Sequence, residues 1–216
     1  MANYDAVIFD MDGTLLNTLD DIGDSVNYIM DKYGFPKRTM DEIKDFVGNG
    51  VIRLLELSVP EGQENPRFED CLREYKEHYR QNMLNKTAPY AGILDLLRAL
   101  HQKNCGLAIV SNKFDRAVKD LNELFFREFV RVAVGESDSI RKKPAPDSVF
   151  EALKELGASA EGALYVGDSE VDVQTAKNAG LKGVGVTWGF RDRKVLEDAG
   201  ADFIINEPAE LLDIIG

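Results

Sequence analysis

From residue 90 onward, short apolar runs alternate with amphipathic helical segments, and this alternation limits the folds that the chain can adopt. The apolar runs are residues 106–110, 129–134, 163–166, 183–187 and 202–205. Strands that alternate with helices form right-handed βαβ units, which build a largely parallel sheet covered by helices on both faces. The sequence therefore predicts an α/β fold with a Rossmann-like parallel sheet as its core.

A first strand is predicted near the N-terminus, at residues 6–9, because this run is short and rich in β-branched and aromatic side chains. It ends abruptly at Asp10 and Asp12, which Gly13 follows at once. Ligands of open α/β sheets bind at the carboxyl ends of strands. Two carboxylates there repel each other unless a cation lies between them or one keeps a proton. The structural alternative is an Asx turn that simply ends the strand.

Residues 17–86 interrupt the alternation and carry helical patterns only. The first of these helices is expected to begin at Thr18, because Asp21 follows at the spacing of a capping box. The predicted organisation is an α/β core made of residues 1–16 and 87–216, with a helical domain inserted after the first strand.

Composition excludes several kinds of partner. The chain has 216 residues, with 26 Lys and Arg against 38 Asp and Glu, which gives a formal net charge of −12. Nucleic acids and anionic membrane surfaces attract clustered basic residues, so neither is an expected partner. Cys71 and Cys105 lack the spacing of metal ligands, and no apolar run reaches the ~20 residues of a membrane span. We expect a cytoplasmic protein that is a monomer or a weak homodimer.

Three later segments carry polar groups at strand ends or in a loop. Ser111 and Asn112 follow the second strand of the core, where they also suit a helix N-cap. Lys143 precedes a Pro-Ala-Pro segment that restricts the chain, although a loop lysine is ordinarily solvated. Asp168 and Asp172 follow another strand, where a helical turn would place both on one face, or where a capping turn would use them.

Together with the first aspartates, these groups match phosphoryl transfer assisted by a metal. Mg²⁺ prefers oxygen ligands and is held by a few carboxylates, with water and substrate phosphate completing its shell. A lysine, a hydroxyl and backbone amides would hold the phosphoryl oxygens, where negative charge remains in the transition state.

In this order, the four segments resemble the motifs of the haloacid dehalogenase superfamily, most closely its phosphatases with a helical cap inserted after the first strand. Further stretches are similar to phosphoglycolate phosphatases and, more loosely, to pyrophosphatases and nucleotidases. The stretches that carry these resemblances are residues 10–14, Ser111, Lys143 with Pro144, 167–172, 15–22, 47–50, 185–189 and 199–202.

The resemblance implies a role for each carboxylate. Asp10 attacks phosphorus and forms an aspartyl-phosphate, while Asp12 protonates the leaving alcohol and then deprotonates the attacking water. Mg²⁺ is bound by the Asp10 side chain, the Asp12 backbone carbonyl and Asp168, with Asp172 outside the first shell or bound through water. Asp12 is expected to keep a proton near neutral pH, since it lies further from the metal than Asp10.

The phosphoryl group is expected to bind to Ser111, the amide of Asn112, Lys143, and the turn formed by Gly13 and Thr14. The inserted domain, residues 17–86, is expected to act as a mobile cap that selects the leaving group. Within it, Asn49 and Arg53 are candidate substrate contacts. Outside it, Trp188 and Arg191 are predicted to be packing and surface residues.

The expected activity is hydrolysis of a small, phosphoglycolate-like phosphate monoester. Pyrophosphatase, nucleotidase and sugar phosphomutase activities of the same superfamily remain alternatives, as does a catalytically silent binding protein on this fold. An EF-hand is excluded by spacing, since Leu15 stands where its loop needs glycine and Asp21 where it needs glutamate. The sequence does not identify the ester.

Overall fold

A computed structural model describes residues 4–216 of the chain. The chain forms two compact units, one made of the residues up to Leu16 together with Pro89–Gly216, and the other of Asn17–Ala88. It passes between them at two short strands, β2 (Leu16–Asn17) and β3 (Ala88–Pro89). That the first unit is a catalytic core and the second a cap stays a prediction.

The first unit contains a parallel sheet, in which six strands are paired within the described residues. The strands are β1 (Ala6–Phe9), β4 (Gly106–Phe114), β5 (Val132–Glu136), β6 (Ala163–Gly167), β7 (Lys182–Val186) and β8 (Phe203–Ile205). Their order is β5-β4-β1-β6-β7-β8, and each neighbouring pair is parallel. The predicted fold class, a Rossmann-like parallel sheet with a helical insertion after its first strand, is therefore confirmed.

Helices follow the strands and bury both faces of the sheet. They are α5 (Ile93–Gln102), α6 (Asp115–Phe125), α7 (Asp147–Leu156), α8 (Glu170–Ala179), α9 (Arg193–Ala199) and α10 (Leu211–Ile215). All four side chains of β1 are buried, as a central parallel strand requires. On one face, Ile8 of β1 and Tyr165 of β6 belong to the same apolar cluster as Val149 of α7 and Ala176 of α8.

The strand order places a topological switch point at β1. The chain continues from β1 to β4 on one side of it and later to β6 on the other. Crossovers to opposite sides leave a crevice at the carboxyl end of the central strand, and ligands of open α/β sheets bind there. Asp10, the residue after β1, lies at this position.

The second unit is helical, with α1 (Leu19–Tyr33), α2 (Met40–Phe46), α3 (Val51–Ser58) and α4 (Phe68–Asn82). Gly34 ends α1 in the left-handed region, with φ of 70°. The predicted capping box at the start of α1 is wrong, because Thr18 is the N-cap residue but makes no capping bond with its side chain. The Asp21 carboxylate instead accepts backbone N–H groups of Lys86 and Thr87, at 3.0 and 2.9 Å.

Two strand limits differ from those expected from the apolar runs. β4 continues to Phe114 with a register shift after Val110, and β5 begins at Val132 rather than at residue 129. Pairing with neighbouring strands decides these limits, and hydrophobicity along the chain does not encode it. Within residues 4–216, every helix is too short or too polar to cross a bilayer.

Candidate active site

The candidate site begins where β1 ends. Asp10 is buried, and its backbone N–H pairs with the Val166 carbonyl of β6 at 2.8 Å, which extends the sheet by one residue. The Met11 carbonyl then accepts backbone N–H groups from residues 14–16, so the chain turns tightly. The turn holds the Asp10 side chain at the crevice beside β6.

Gly13 is required in this turn for two reasons. Its φ of 86° lies in the left-handed region, which favours glycine. A Cβ atom at this position would also lie 2.3 Å from an Asp168 side-chain oxygen. Gly13 therefore lets the turn lie against Asp168, which directly follows β6.

Three buried carboxylates meet at the crevice. Oxygens of Asp10, Asp168 and Asp172 all lie within 4.8 Å of one another. Burial, opposed by Lys143 and reinforced by Asp172, raises the pKa of Asp10 to about 7. Burial, together with the charges of Asp172 and Asp10, raises the pKa of Asp168 well above its usual range. The cluster thus favours protons or a cation over three uncompensated charges.

Asp168 and Asp172 also illustrate how a helix cap and an acidic site coincide. Ser169 is the N-cap of α8, and its hydroxyl and the Asp172 side chain form a capping box. Asp172 Oδ2 accepts the Ser169 N–H at 3.1 Å and its hydroxyl at 2.5 Å. The capping turn predicted as an alternative is present, and it orients Asp172 toward the other carboxylates.

Lys143 balances part of the negative charge. Its Nζ lies 2.8 Å from Asp10 Oδ1, 2.7 Å from Asp172 Oδ1 and 3.0 Å from the Tyr165 hydroxyl, and its side chain is only 3% exposed. These contacts match the three N–H groups of an ammonium. Burial alone would lower the pKa of Lys143, but the charges of Asp10 and Asp172 outweigh it and raise that pKa well above its ordinary value.

The Asn112 side chain holds the backbone of Lys143. Its Nδ2 donates to the Lys143 carbonyl at 3.1 Å, and its Oδ1 accepts the Lys143 N–H at 2.8 Å. This pair of bonds joins β4 to the loop before α7. Asn112 therefore positions the lysine with its side chain, which leaves only its backbone for the predicted contact with phosphate.

Ser111 lies at the same edge of the sheet, buried near the end of β4. Its Oγ accepts the backbone N–H of Lys113 at 3.2 Å. The expectation that Ser111 and Asn112 form a helix N-cap is wrong, because α6 begins only at Asp115 and its N-cap is Phe114. The strand continues through these residues since β4 is paired with β5 up to Phe114.

Asp12 is paired with a lysine to which the sequence assigned no role. Lys113 Nζ lies 2.8 and 2.9 Å from the two carboxylate oxygens of Asp12, and the lysine side chain is buried. The structure therefore holds the Asp12 side chain against the Lys113 Nζ, a contact that the sequence did not predict.

The loop after β7 binds Asp168. The backbone N–H of Phe190 donates to Asp168 Oδ2 at 2.7 Å, and the Thr14 hydroxyl donates to Asp168 Oδ1 at 3.3 Å. The Trp188 indole donates to the Thr14 carbonyl at 3.0 Å, while Arg191 pairs with Glu170 at 3.3 Å and is mostly buried. Trp188 therefore bonds to the turn after β1 as well as packing against its surroundings, whereas Arg191 forms an ion pair with a half-exposed glutamate.

Sequence reasoning missed Lys113, Tyr165 and Trp188 as parts of the site. Each residue stands out in the sequence, but its spacing from neighbouring residues does not reveal its partner. Lys113 follows Ser111 by two residues, Tyr165 is the polar member of an apolar strand, and Trp188 stands in a strand-end loop beside Gly189. Their partners are at least seven residues away along the chain, so only the fold identifies them.

Asn49 and Arg53 belong to the helical unit. Gly48 and Gly50 flank Asn49 with φ of 119° and 83°, and α3 begins directly after them. Arg53 lies on α3 and pairs with Glu56 at 2.9 Å. The Arg53 side chain is 47% exposed and that of Glu56 is 32% exposed. Substrate contact by Asn49 and Arg53 stays a prediction.

The donors at the crevice suit a hard divalent cation. The cluster offers oxygen atoms only, from three buried carboxylates, and burial above all raises the pKa of Asp10 and of Asp168. Mg²⁺ prefers such oxygen ligands. Three carboxylates and a lysine thus lie around one crevice that could hold a metal and an anion.

Comparison with known proteins supports this interpretation. Residues 7–186 match the family model described as haloacid dehalogenase-like hydrolase. Two curated phosphoglycolate phosphatases are each 30% identical to the chain, one from Chromobacterium violaceum (97% of this chain, 96% of the relative) and one from Aquifex aeolicus (97% and 95%).

A solved structure agrees. The crystal structure of a Lactobacillus delbrueckii subsp. bulgaricus protein, provisionally assigned as a phosphoglycolate phosphatase, superposes with a TM-score of 0.93 and is 36% identical. The match covers 99% of this chain and 98% of the other. The chain therefore belongs to the haloacid dehalogenase-like hydrolase family, as an enzyme similar to the phosphatases of that family.

Proposed function

We propose that this protein is a Mg²⁺-dependent phosphatase that hydrolyses a small phosphate monoester through an aspartyl-phosphate formed on Asp10. The observation that carries the proposal is the position of Asp10, buried at the switch point of the sheet, with Lys143 at 2.8 Å and two further carboxylates within 4.8 Å. The names of the curated relatives make 2-phosphoglycolate the first substrate to test.

In the first half-reaction, a carboxylate oxygen of Asp10 attacks phosphorus while the bond from phosphorus to the leaving oxygen breaks. The proton from Asp12 passes to that oxygen, so the product leaves as an alcohol. Lys143 favours the ionised form of Asp10 and so opposes the effect of burial, since its ammonium group contacts the carboxylate directly. A covalent intermediate divides one difficult displacement into two easier ones.

In the second half-reaction, water attacks the aspartyl-phosphate. Asp12 takes a proton from this water, the bond between phosphorus and the Asp10 oxygen breaks, and inorganic phosphate is released. Asp12 thereby regains the proton that it lost. Lys113, held against Asp12, orients its carboxyl group for the proton transfers.

Asp10, Asp168 and the backbone carbonyl of Asp12 would hold Mg²⁺. Asp172 would act through water, because its two oxygens already accept hydrogen bonds from Lys143, Tyr165 and Ser169. When bound, Mg²⁺ supplies positive charge that offsets the carboxylates and an anionic phosphoryl group. The protein residues fix that position through the turn at Gly13 and the cap of α8.

The phosphoryl group would bind to the Ser111 hydroxyl, the Asn112 backbone N–H, Lys143 and the amides of Gly13 and Thr14. The three N–H groups of Lys143 contact Asp10, Asp172 and Tyr165. A contact between Lys143 and a phosphoryl oxygen therefore replaces one of these bonds. Exchange with Asp10 is the most direct, because Asp10 turns toward phosphorus when it attacks.

The unit Asn17–Ala88 would serve as a mobile cap that excludes water and selects the leaving group. Pyrophosphate, nucleotides and sugar phosphates are the alternative substrates, and the same core chemistry would act on each. We place the activity in the cytoplasm, because two cysteines far apart in the sequence, Cys71 and Cys105, suit a reducing compartment.

Turnover of a panel of phosphate esters tests the proposal, with wild-type protein, Mg²⁺ and an excess-chelator control. We expect release of phosphate from at least one small monoester, loss of activity with chelator and recovery with Mg²⁺. Asp10→Asn should lower kcat by about 10³-fold or more while the protein stays folded. A folded Asp10→Asn variant with a tenth of wild-type kcat, or full activity in chelator, would contradict the proposal.

A further inference from the structure

The loop between β7 and α9 lies against the two elements that carry the candidate metal site. A Cβ atom on Gly189 would lie 2.2 Å from the Asp168 Cβ and 2.5 Å from the Gly13 carbonyl oxygen. Such distances leave no room for any side chain at this position. The backbone of the loop is therefore in direct contact both with Asp168 and with the turn that follows Asp10.

Hydrogen bonds also link the loop, Asp168 and the turn to one another. The Phe190 N–H and the Thr14 hydroxyl hold one Asp168 oxygen each, at 2.7 and 3.3 Å. The Trp188 indole joins the two donors, because it is two residues from Phe190 and donates to the Thr14 carbonyl at 3.0 Å. Both oxygens of Asp168 are thus oriented by groups that the indole N–H holds together.

The sequence offers no substitute for this bond. Trp188 is the single tryptophan of the chain, and an indole N–H donates but does not accept. Removing that hydrogen leaves the Thr14 carbonyl without this donor and lets the loop move independently of the turn. The carboxyl group of Asp168 would then stay in the site and lose its fixed direction.

We propose that Trp188 is a positioning residue for the metal site, which fixes Asp168 by linking the loop after β7 to the turn after β1. The inference rests on the proposed function, because it assigns Asp168 to Mg²⁺. Groups that orient metal ligands contribute about 10- to 100-fold to metal affinity. Trp188 should therefore set the affinity for Mg²⁺, with less effect on the chemical step once the metal is bound.

Calorimetric titration of the metal-free full chain with Mg²⁺ tests this without substrate. Trp188→Phe keeps an aromatic ring and removes the N–H, so we expect the Kd for Mg²⁺ to rise about tenfold or more. Steady-state kinetics should show the same rise in the Mg²⁺ concentration for half-maximal activity. At saturating Mg²⁺, kcat and the KM for the ester should stay near the wild-type values.

Thr187→Val is the matched control, since it removes a side-chain hydrogen bond of the same loop, from the Thr187 hydroxyl to Asn206 Oδ1 at 3.1 Å, that involves neither Asp168 nor Thr14. Its Kd for Mg²⁺ should remain close to that of the wild type. The variants Thr14→Val and Thr14→Ser test the hydrogen bond from the Thr14 hydroxyl to Asp168. Only the valine variant, which lacks the hydroxyl, should weaken Mg²⁺ binding. This pair keeps the inference testable if Trp188→Phe is poorly folded by circular dichroism.

Two outcomes would overturn the inference. One is a folded Trp188→Phe protein that binds Mg²⁺ as tightly as the wild type. The other is an equal loss in Thr187→Val, which would mean that any disturbance of the loop weakens Mg²⁺ binding. If the wild type itself binds no Mg²⁺, the proposed function fails as well. If the wild type binds Mg²⁺ and Trp188→Phe binds it equally tightly, only the inference about Trp188 fails.

Discussion

At the scale of single residues, the site consists of charged groups that distant parts of the chain hold in place. Asp12 and Lys113 are 101 positions apart, and Lys143 and Asp172 are 29 apart, yet both pairs form direct ion pairs. Buried ion pairs are costly to desolvate, and removal of one partner leaves the other uncompensated. Substitution of one residue of either pair should therefore act by leaving the charge of the other residue without this partner.

Lys113→Met tests whether Lys113 acts through Asp12. We expect kcat to fall about tenfold or more, because general acid and base catalysis contributes about 10²- to 10⁴-fold and depends on the orientation of Asp12. In an Asp12→Asn background, the same change should have little further effect, since residues that act as a unit are not additive.

Lys119→Met is the control for Lys113, because Lys119 lies on α6 in an exposed pair with Asp115. Its kcat should match that of the wild type. Additive losses in the Lys113→Met, Asp12→Asn double variant would show that Lys113 acts independently of Asp12.

At the scale of elements, a buried carboxylate connects the two ends of the helical unit. Asp21, on the first turn of α1, accepts the backbone N–H groups of Lys86 and Thr87 near the end of that unit. The side chain is 2% exposed, so water does not replace these bonds. Asp21 thereby holds together the two chain segments that lead into and out of α1–α4.

Asp21→Ala should lower the free energy of unfolding by about 1–3 kcal/mol, because it leaves two N–H groups without their charged acceptor. Denaturant unfolding with a shared m-value measures this loss. Asp20→Ala changes an exposed aspartate of the same helix turn, and its effect should stay within about 0.5 kcal/mol. Equal effects of the two substitutions would mean that the buried hydrogen bonds of Asp21 contribute nothing to the free energy of unfolding.

Arg53 tests whether α3 contributes to substrate choice. We expect Arg53→Ala to lower kcat/KM more for 2-phosphoglycolate than for an ester with a neutral leaving group, because a guanidinium binds a carboxylate preferentially. Glu56→Gln is the control, since it breaks the same surface ion pair and keeps the arginine. A uniform change across both esters, or none, would leave Arg53 as a solvated helix residue.

At the scale of the whole molecule, stability and metal binding are coupled through the carboxylates. The pKa of Asp10 is raised to about 7, chiefly by burial, and that of Asp168 is raised in the same direction. The folded protein thus binds more protons than the unfolded chain between their ordinary pKa and the raised one. The stabilising contribution is complete below the ordinary pKa and is lost as pH rises through about 7.

Mg²⁺ should therefore raise the thermal unfolding midpoint more at about pH 8 than at about pH 5, because at the lower pH protons occupy the carboxylates. Metal-free protein should lose stability from this site over the same interval. Differential scanning calorimetry with and without Mg²⁺ measures both effects. Asp168→Asn should respond weakly to Mg²⁺ at either pH, and a response equal to that of the wild type would contradict the assigned site.

The sequence by itself determined the fold class and the position of the three carboxylates at one edge of the sheet. Alternating strands and helices require a parallel sheet, and parallel strands bring their carboxyl ends to one edge. Asp10, Asp168 and Asp172 could be placed together for that reason, and the structure brings their oxygens within 4.8 Å. Periodicity and order along the chain are sufficient for this step.

Only the tertiary structure decided how each group is held. The pairing of Asp12 with Lys113, the Asn112 bonds to the Lys143 backbone and the Trp188 bond to Thr14 join segments from different strands. Strand register and loop conformation set these contacts, and no local pattern encodes either. Sequence thus specifies which functional groups reach the edge of the sheet, while packing specifies their partners, because hydrogen bonds depend on distances that only the folded chain creates.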